Sequence, residues 1–91
     1  MTRVIVQSDD EWVRTKIQEM IKGEIRFLRH VIERTQQKLQ RFEQNYGPLR
    51  RETLYGKVDD MELVEWEGEL ETVEHLQEHI QALEDMTIEY Q

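Results

Sequence analysis

The chain has no cysteine, only one proline, and no lysine or arginine after Lys57. Without cysteine, disulfides, thiolate metal sites and cysteine nucleophiles are excluded. Long apolar runs are also missing. The longest is Val4-Ile5-Val6, too short for a membrane span. Arg3 is followed by three apolar residues and then by Ser8-Asp9-Asp10-Glu11, which is not a secretory signal, so a cytoplasmic protein is expected. There is no glycine-rich phosphate loop and no nucleophile elbow. The many carboxylates are not set beside a serine, cysteine or lysine in a recognisable pocket, so no enzyme and no cofactor is expected.

What is present is charge, unevenly divided. Residues 1–57 hold all 12 Lys+Arg against 8 Asp+Glu, a balance of +4, and residues 58–91 hold 12 Asp+Glu alone, a balance of −12. Such a split predicts two complementary halves that fold onto each other and leave a negative surplus. The net charge of −8 disfavours nucleic acid or an anionic membrane as primary partner, because phosphates would be repelled. Ninety-one residues make one domain. An apolar content of 37% and a mean hydropathy of −0.81 are poor for a compact globule. They suit an elongated helical hairpin, which buries one stripe per helix.

The helices can be placed. Ser8-Asp9-Asp10-Glu11 reads as a helix start, with Ser8 as cap and Glu11 as its capping-box partner. The first helix is expected over about residues 9–45. Its stripe is Ile21, Ile25, Leu28, Ile32, Thr35, Leu39, Phe42 and Tyr46, at alternating spacings of four and three, a coiled-coil seam broken in polarity only by Thr35. Gly47-Pro48 ends it. In the connection, 46–58, Leu49 to Tyr55 can form one or two helical turns before Gly56. Asp59 opens the second helix, about 59–86, with Glu62 as capping-box partner. Its stripe is Leu63, Trp66, Leu70, Val73, Leu76, Ile80 and Leu83. The expected fold is an all-α antiparallel two-helix coiled-coil hairpin with short extended ends.

The helices differ in length, at about 55 and 40 Å for 1.5 Å per residue. The start of the first, with Trp12, Val13 and Ile17, is therefore left without a partner in the chain. Either that helix bends near Gly23 or another chain covers it, as homo-oligomer or hetero-complex. Arg3–Gln7 and Met86–Gln91 are rich in β-branched and aromatic residues. They read either as short strands, paired with each other or with a partner's sheet edge, or as frayed ends.

Charge flanks match an antiparallel pairing. Arg34, Lys38 and Arg41 line one side of the first seam and Lys22, Arg26 and Arg29 the other. On the second helix Glu62, Glu65 and Glu69 face one flank and Glu67, Glu71, Glu74 and Glu78 the other. The last four are either a solvated face serving helix one or a docking surface for a basic protein. Gly68, between Glu67 and Glu69, marks either a crowded helix crossing or a flat spot where a partner fits. Trp66 falls in the seam and is also a candidate anchor, together with Trp12, Ile17 and Tyr90. His75 and His79, with Glu71 a turn earlier, have metal-ligand spacing but lack a further ligand beyond a distant His30, so surface histidines and no metal are expected.

Tyr46-Gly47, the helix start Asp59-Asp60-Met61-Glu62 and the stretch from Leu63 to Thr72, with Val64-Glu65-Trp66-Glu67-Gly68 at its centre, together resemble small helical-hairpin proteins of archaea and bacteria. These are often encoded beside compact toxin-like proteins and are regarded as antitoxins of two-component toxin–antitoxin modules. The resemblance covers about a third of the chain, and the longer Gly-Glu-Leu-rich insert common in their connection is missing here. It implies a non-enzymatic antitoxin that neutralises a basic, ribonuclease-like toxin by direct contact, its acidic helix occupying the toxin's RNA-binding surface. The different class of reading from the residues is a structural coiled-coil module whose partner is itself.

Overall fold

The computed structural model describes residues 2–48, 54 and 56–91. The elements run β1 (Arg3–Val6), α1 (Glu11–Tyr46), α2 (Asp60–Glu84) and β2 (Thr87–Tyr90). The two helices pack antiparallel into a rod of 60 × 20 × 17 Å, so the all-α hairpin with short terminal strands is the fold. No helix among the described residues is long and apolar enough to cross a membrane.

Helix α1 starts later than its sequence signal suggests. Asp10, in extended conformation, is the cap, and its Oδ1 accepts from the N–H groups of Trp12 and Val13 at 2.8 and 3.3 Å. Ser8 instead accepts from the Asp10 N–H at 3.2 Å. A carboxylate is the stronger acceptor at a positive helix end, which explains the two-residue shift. At the other end Gly47 adopts φ +77° and donates its N–H to the Glu43 carbonyl at 2.7 Å, a conformation that favours glycine. Asp59 caps α2 through the Met61 N–H. Glu62 does not close a capping box; it accepts from the Tyr46 hydroxyl at 2.8 Å and so ties the helices together.

The core follows the two stripes. Leu28, Ile32, Thr35 and Leu39 of α1 and Leu63, Trp66, Val73 and Ile80 of α2 are buried, with Ile25, Phe42, Tyr46, Leu70, Leu76 and Leu83 packed against them. Thr35 is tolerated because its hydroxyl donates to the Val31 carbonyl at 2.9 Å, satisfying the polar group within the helix. Leu54 and Val58 close the core at the connection. The helical turns expected over Leu49–Tyr55 lie outside the described residues, except for Leu54, whose backbone is helical. Gly56, at φ +83°, turns the chain, with the Lys57 and Val58 N–H groups bonded to the Leu54 carbonyl.

Part of the length mismatch is taken up within the chain, by a route that the sequence does not announce. Helix α1 runs through Gly23 without interruption, and the chain covers part of its surplus itself. Glu84, ending α2, pairs with Arg29 at 2.5 Å. Beyond it Met86 and Ile88 line a cleft with Gln18, Ile21, Lys22 and Ile25, and Tyr90 reaches Arg14 and Gln18. Strand β2 thus continues the path of α2 along α1, and four extended residues reach about 13 Å. Strand β1 pairs with it in parallel, Arg3 opposite Thr87 and Val6 opposite Tyr90, with Arg3 and Glu89 bridged at 2.7 Å. The terminal segments are therefore strands paired with each other.

Candidate functional site

Trp66 is the most buried side chain described, 1% exposed, and it stacks on Phe42 with ring centroids 5.3 Å apart and planes 10° from parallel. The Tyr46 ring lies 6.5 Å away. A residue held this way serves the core, and Trp66 has almost no surface to offer a partner. Beside the stack is an open cleft of about 250 Å³ lined by Lys38, Arg41, Phe42, Asn45, Tyr46, Glu62 and Glu65. Within it the Glu62 carboxylate, hydrogen-bonded to the Tyr46 hydroxyl, raises that phenol above its ordinary pKa; the Glu62 charge, burial and the Asp59 charge add to the shift.

Tyr90 is also occupied within the chain. Its ring is half-buried, the Arg14 guanidinium stands over it at 4.6 Å, and its hydroxyl is 3.5 Å from Gln18 Nε2. It fastens β2 to α1 and leaves only part of its surface for another molecule. Ile17 is half-buried on α1. Trp12 is 67% exposed, with the Lys16 ammonium 5.8 Å from its ring centroid. Of the four proposed anchors, Trp12 is the open one.

The glutamates of α2 stand differently from the flank-to-flank zip that the sequence suggests. Across the helices Lys38 meets Glu69 at 3.7 Å, and Arg29 meets Glu84 and not the glutamates a turn or more before it. Among the described residues Glu71 and Glu74 are exposed and have no lysine or arginine partner, and exposed Glu78 has only His75 Nδ1, 4.0 Å from its Oε2. Glu67 is half-buried. The structure therefore leaves three carboxylates in a row on α2 uncompensated by helix α1.

Gly68 sits on the outside. A β-carbon built there meets nothing within 4 Å, so the crowded crossing is not the reason for a glycine at this position. It belongs instead to an outward line of exposed residues, Met61, Val64, Gly68, Glu71, His75 and Glu78, spaced three and four apart and so sharing one face. Met61 and Val64 are 74% and 57% exposed, and sequence reading had passed over both. Their signal was available, as a second periodic line offset from the core stripe. This face combines an apolar end, a flat centre and an acidic end. Among the described residues no three histidine, aspartate or glutamate side chains are arranged to hold a metal. No family model, no curated protein and no solved structure matches the chain.

Proposed function

We propose that this chain is a non-enzymatic protein-binding module that presents the outer face of α2 to a basic protein. The observation that carries the reading is the exposed Glu71–Glu74–Glu78 row, without lysine or arginine partners among the described residues, while Lys38 and Arg29 pair elsewhere. Uncompensated carboxylates on one face raise the local concentration of a cationic partner and speed its docking. Met61, Val64 and Gly68 then offer apolar contact and close backbone approach in line with them. Trp12 is available as an anchor on the other helix.

The finer reading is an antitoxin acting in the cytoplasm. It rests on the resemblance carried by Tyr46-Gly47 and Asp59 to Thr72. A basic, ribonuclease-like toxin fits the surface by charge, since a protein that binds RNA must present cations to phosphates. A row of carboxylates at helical spacing competes for those cations.

The test is a paired capture from native lysate at low and at about 0.5 M salt, where screening reaches within a few ångström. The unaltered chain is compared with a Glu71→Gln, Glu74→Gln, Glu78→Gln variant. The reading expects one small basic protein held at low salt by the unaltered chain and lost from the variant. That protein, expressed alone, should arrest growth, and co-expression of the hairpin should relieve the arrest. If capture is the same for both chains at both salts, the glutamate row is only a solvated face.

A further inference from the structure

Helix α1 carries a second line of residues beside its core stripe. Val13, Ile17, Met20, Glu24, Phe27 and Val31 follow one another at spacings of four and three, the interval that places residues along one face. All but Glu24 are apolar. Met20 and Phe27 are 72% and 61% exposed, and Val13, Ile17 and Val31 are half-buried. Helix α2 packs on the neighbouring Leu28 and Ile32 stripe, and Tyr90 lies on the Arg14 and Gln18 side, which leaves Met20 and Phe27 at the middle of the line open.

The line is its own complement. Laid antiparallel on the same line of a second copy, with the two-fold axis at Lys22, Val13 meets Val31, Ile17 meets Phe27 and Met20 meets Glu24. Symmetry makes each of these contacts twice. The same register extends the line with Asp10 opposite Arg34, opposite charges made twice by symmetry. The acidic Glu71, Glu74 and Glu78 are carried by the other helix.

Gly23 gives a second, separate sign. A β-carbon there would meet only the flexible Arg26 guanidinium, at 3.9 Å. Nothing among the described residues of the single chain therefore calls for a residue that weakens a helix interior. Next to the two-fold axis, the missing side chain lets the two backbones approach.

We infer that α1 pairs antiparallel with α1 of a second copy, through the Val13–Val31 line, to give a two-fold dimer. This does not depend on the reading of α2, since a different helix is used, and the acidic faces stay free for a partner. Sedimentation equilibrium of the full chain should give twice its 11.1 kDa, with little response to salt. Phe27→Asp should weaken self-association by ~100-fold or more while circular dichroism shows the helices intact, because Phe27 is exposed in the single chain. A chain that is monomeric at high micromolar concentration leaves the line to some other protein and overturns the proposal. So does a dimer unaffected by Phe27→Asp, or one that dissociates in salt.

Register is tested with thiols, which the native sequence lacks. Lys16→Cys and His30→Cys share one flank of the line and come within two residues of each other's level in this pairing. Mixed and oxidised, they should form the mixed disulfide, while each variant alone should not link, the two copies of residue 16 being about 18 Å and those of residue 30 about 24 Å apart along the axis. Disulfides from either variant alone would overturn the antiparallel register.

Discussion

Phe42 of α1 and Trp66 of α2 stack nearly parallel, 5.3 Å apart, and join the helices at the end of the rod nearest the connection. Each comes from its own helix's core stripe, so the pair fixes the register of one helix on the other. With Tyr46 tilted against the same indole and bonded to Glu62, this aromatic group ties the two helices together by both stacking and a hydrogen bond.

Trp66→Ala should therefore be the most damaging single substitution in the core. Removing a fully buried indole costs about 3–5 kcal/mol, a large part of what a small domain has. Loss of the cooperative urea transition by circular dichroism is the expected result. Trp66→Phe, which keeps a ring against Phe42, should retain a transition at lower denaturant.

Gly68→Ala should stabilise the hairpin by about 0.5–1 kcal/mol, since the site is exposed helix with open space for a β-carbon. A rise in the urea midpoint with unchanged slope would show it. If the glycine serves partner approach, the same variant will bind the basic partner more weakly while being more stable.

Alkaline pH should loosen the connection end. The Tyr46 phenol is held above its ordinary pKa of 10.0 by Glu62, so the folded chain holds its proton longer than the unfolded one. That contribution is complete below pH 10 and is lost as pH rises through the folded value. Stability measured from pH 8 to 11.5 should fall, and Tyr46→Phe should flatten the part of the fall that this tyrosine causes. An unchanged slope in the variant would assign the fall to other groups.

Deleting residues 87–91 should uncover the start of α1 while leaving the rest paired. Amide exchange should quicken over roughly residues 12–25, which lie beside β2, with little change at Leu28–Leu39. Uniform acceleration would mean that the strands hold the whole rod together.

Much of the hairpin was legible because its determinants are local and periodic. The stripes from Ile21 to Tyr46 and from Leu63 to Leu83, the Gly47 stop and the Asp59 cap each depend on a few neighbouring residues. The cap at Asp10 was missed by two places because several acceptors compete there, and only geometry selects the carboxylate. The cover that β2 gives α1 was not legible, since a parallel pairing between Arg3 and Thr87 is set by the folded path and not by any local pattern. Trp66 sat in the stripe and was still counted as an anchor, because a stripe shows which face is apolar and not how completely it is covered. The open Met20, Phe27, Met61 and Val64 went unread because they form a weaker second period beside a strong first one.

The parallel ladder between the chain's two ends has a mechanical consequence. Because β1 and β2 point the same way, the N-terminus emerges at one end of the ladder and the C-terminus at the other. Tension applied between the termini pulls the strands lengthwise past each other and loads the ladder bonds together, whereas antiparallel ends would peel apart one bond at a time. The weakest-looking element of the rod, four residues on each side, is thereby placed to resist being drawn open from its ends, and it shields the helices from tension until it gives way.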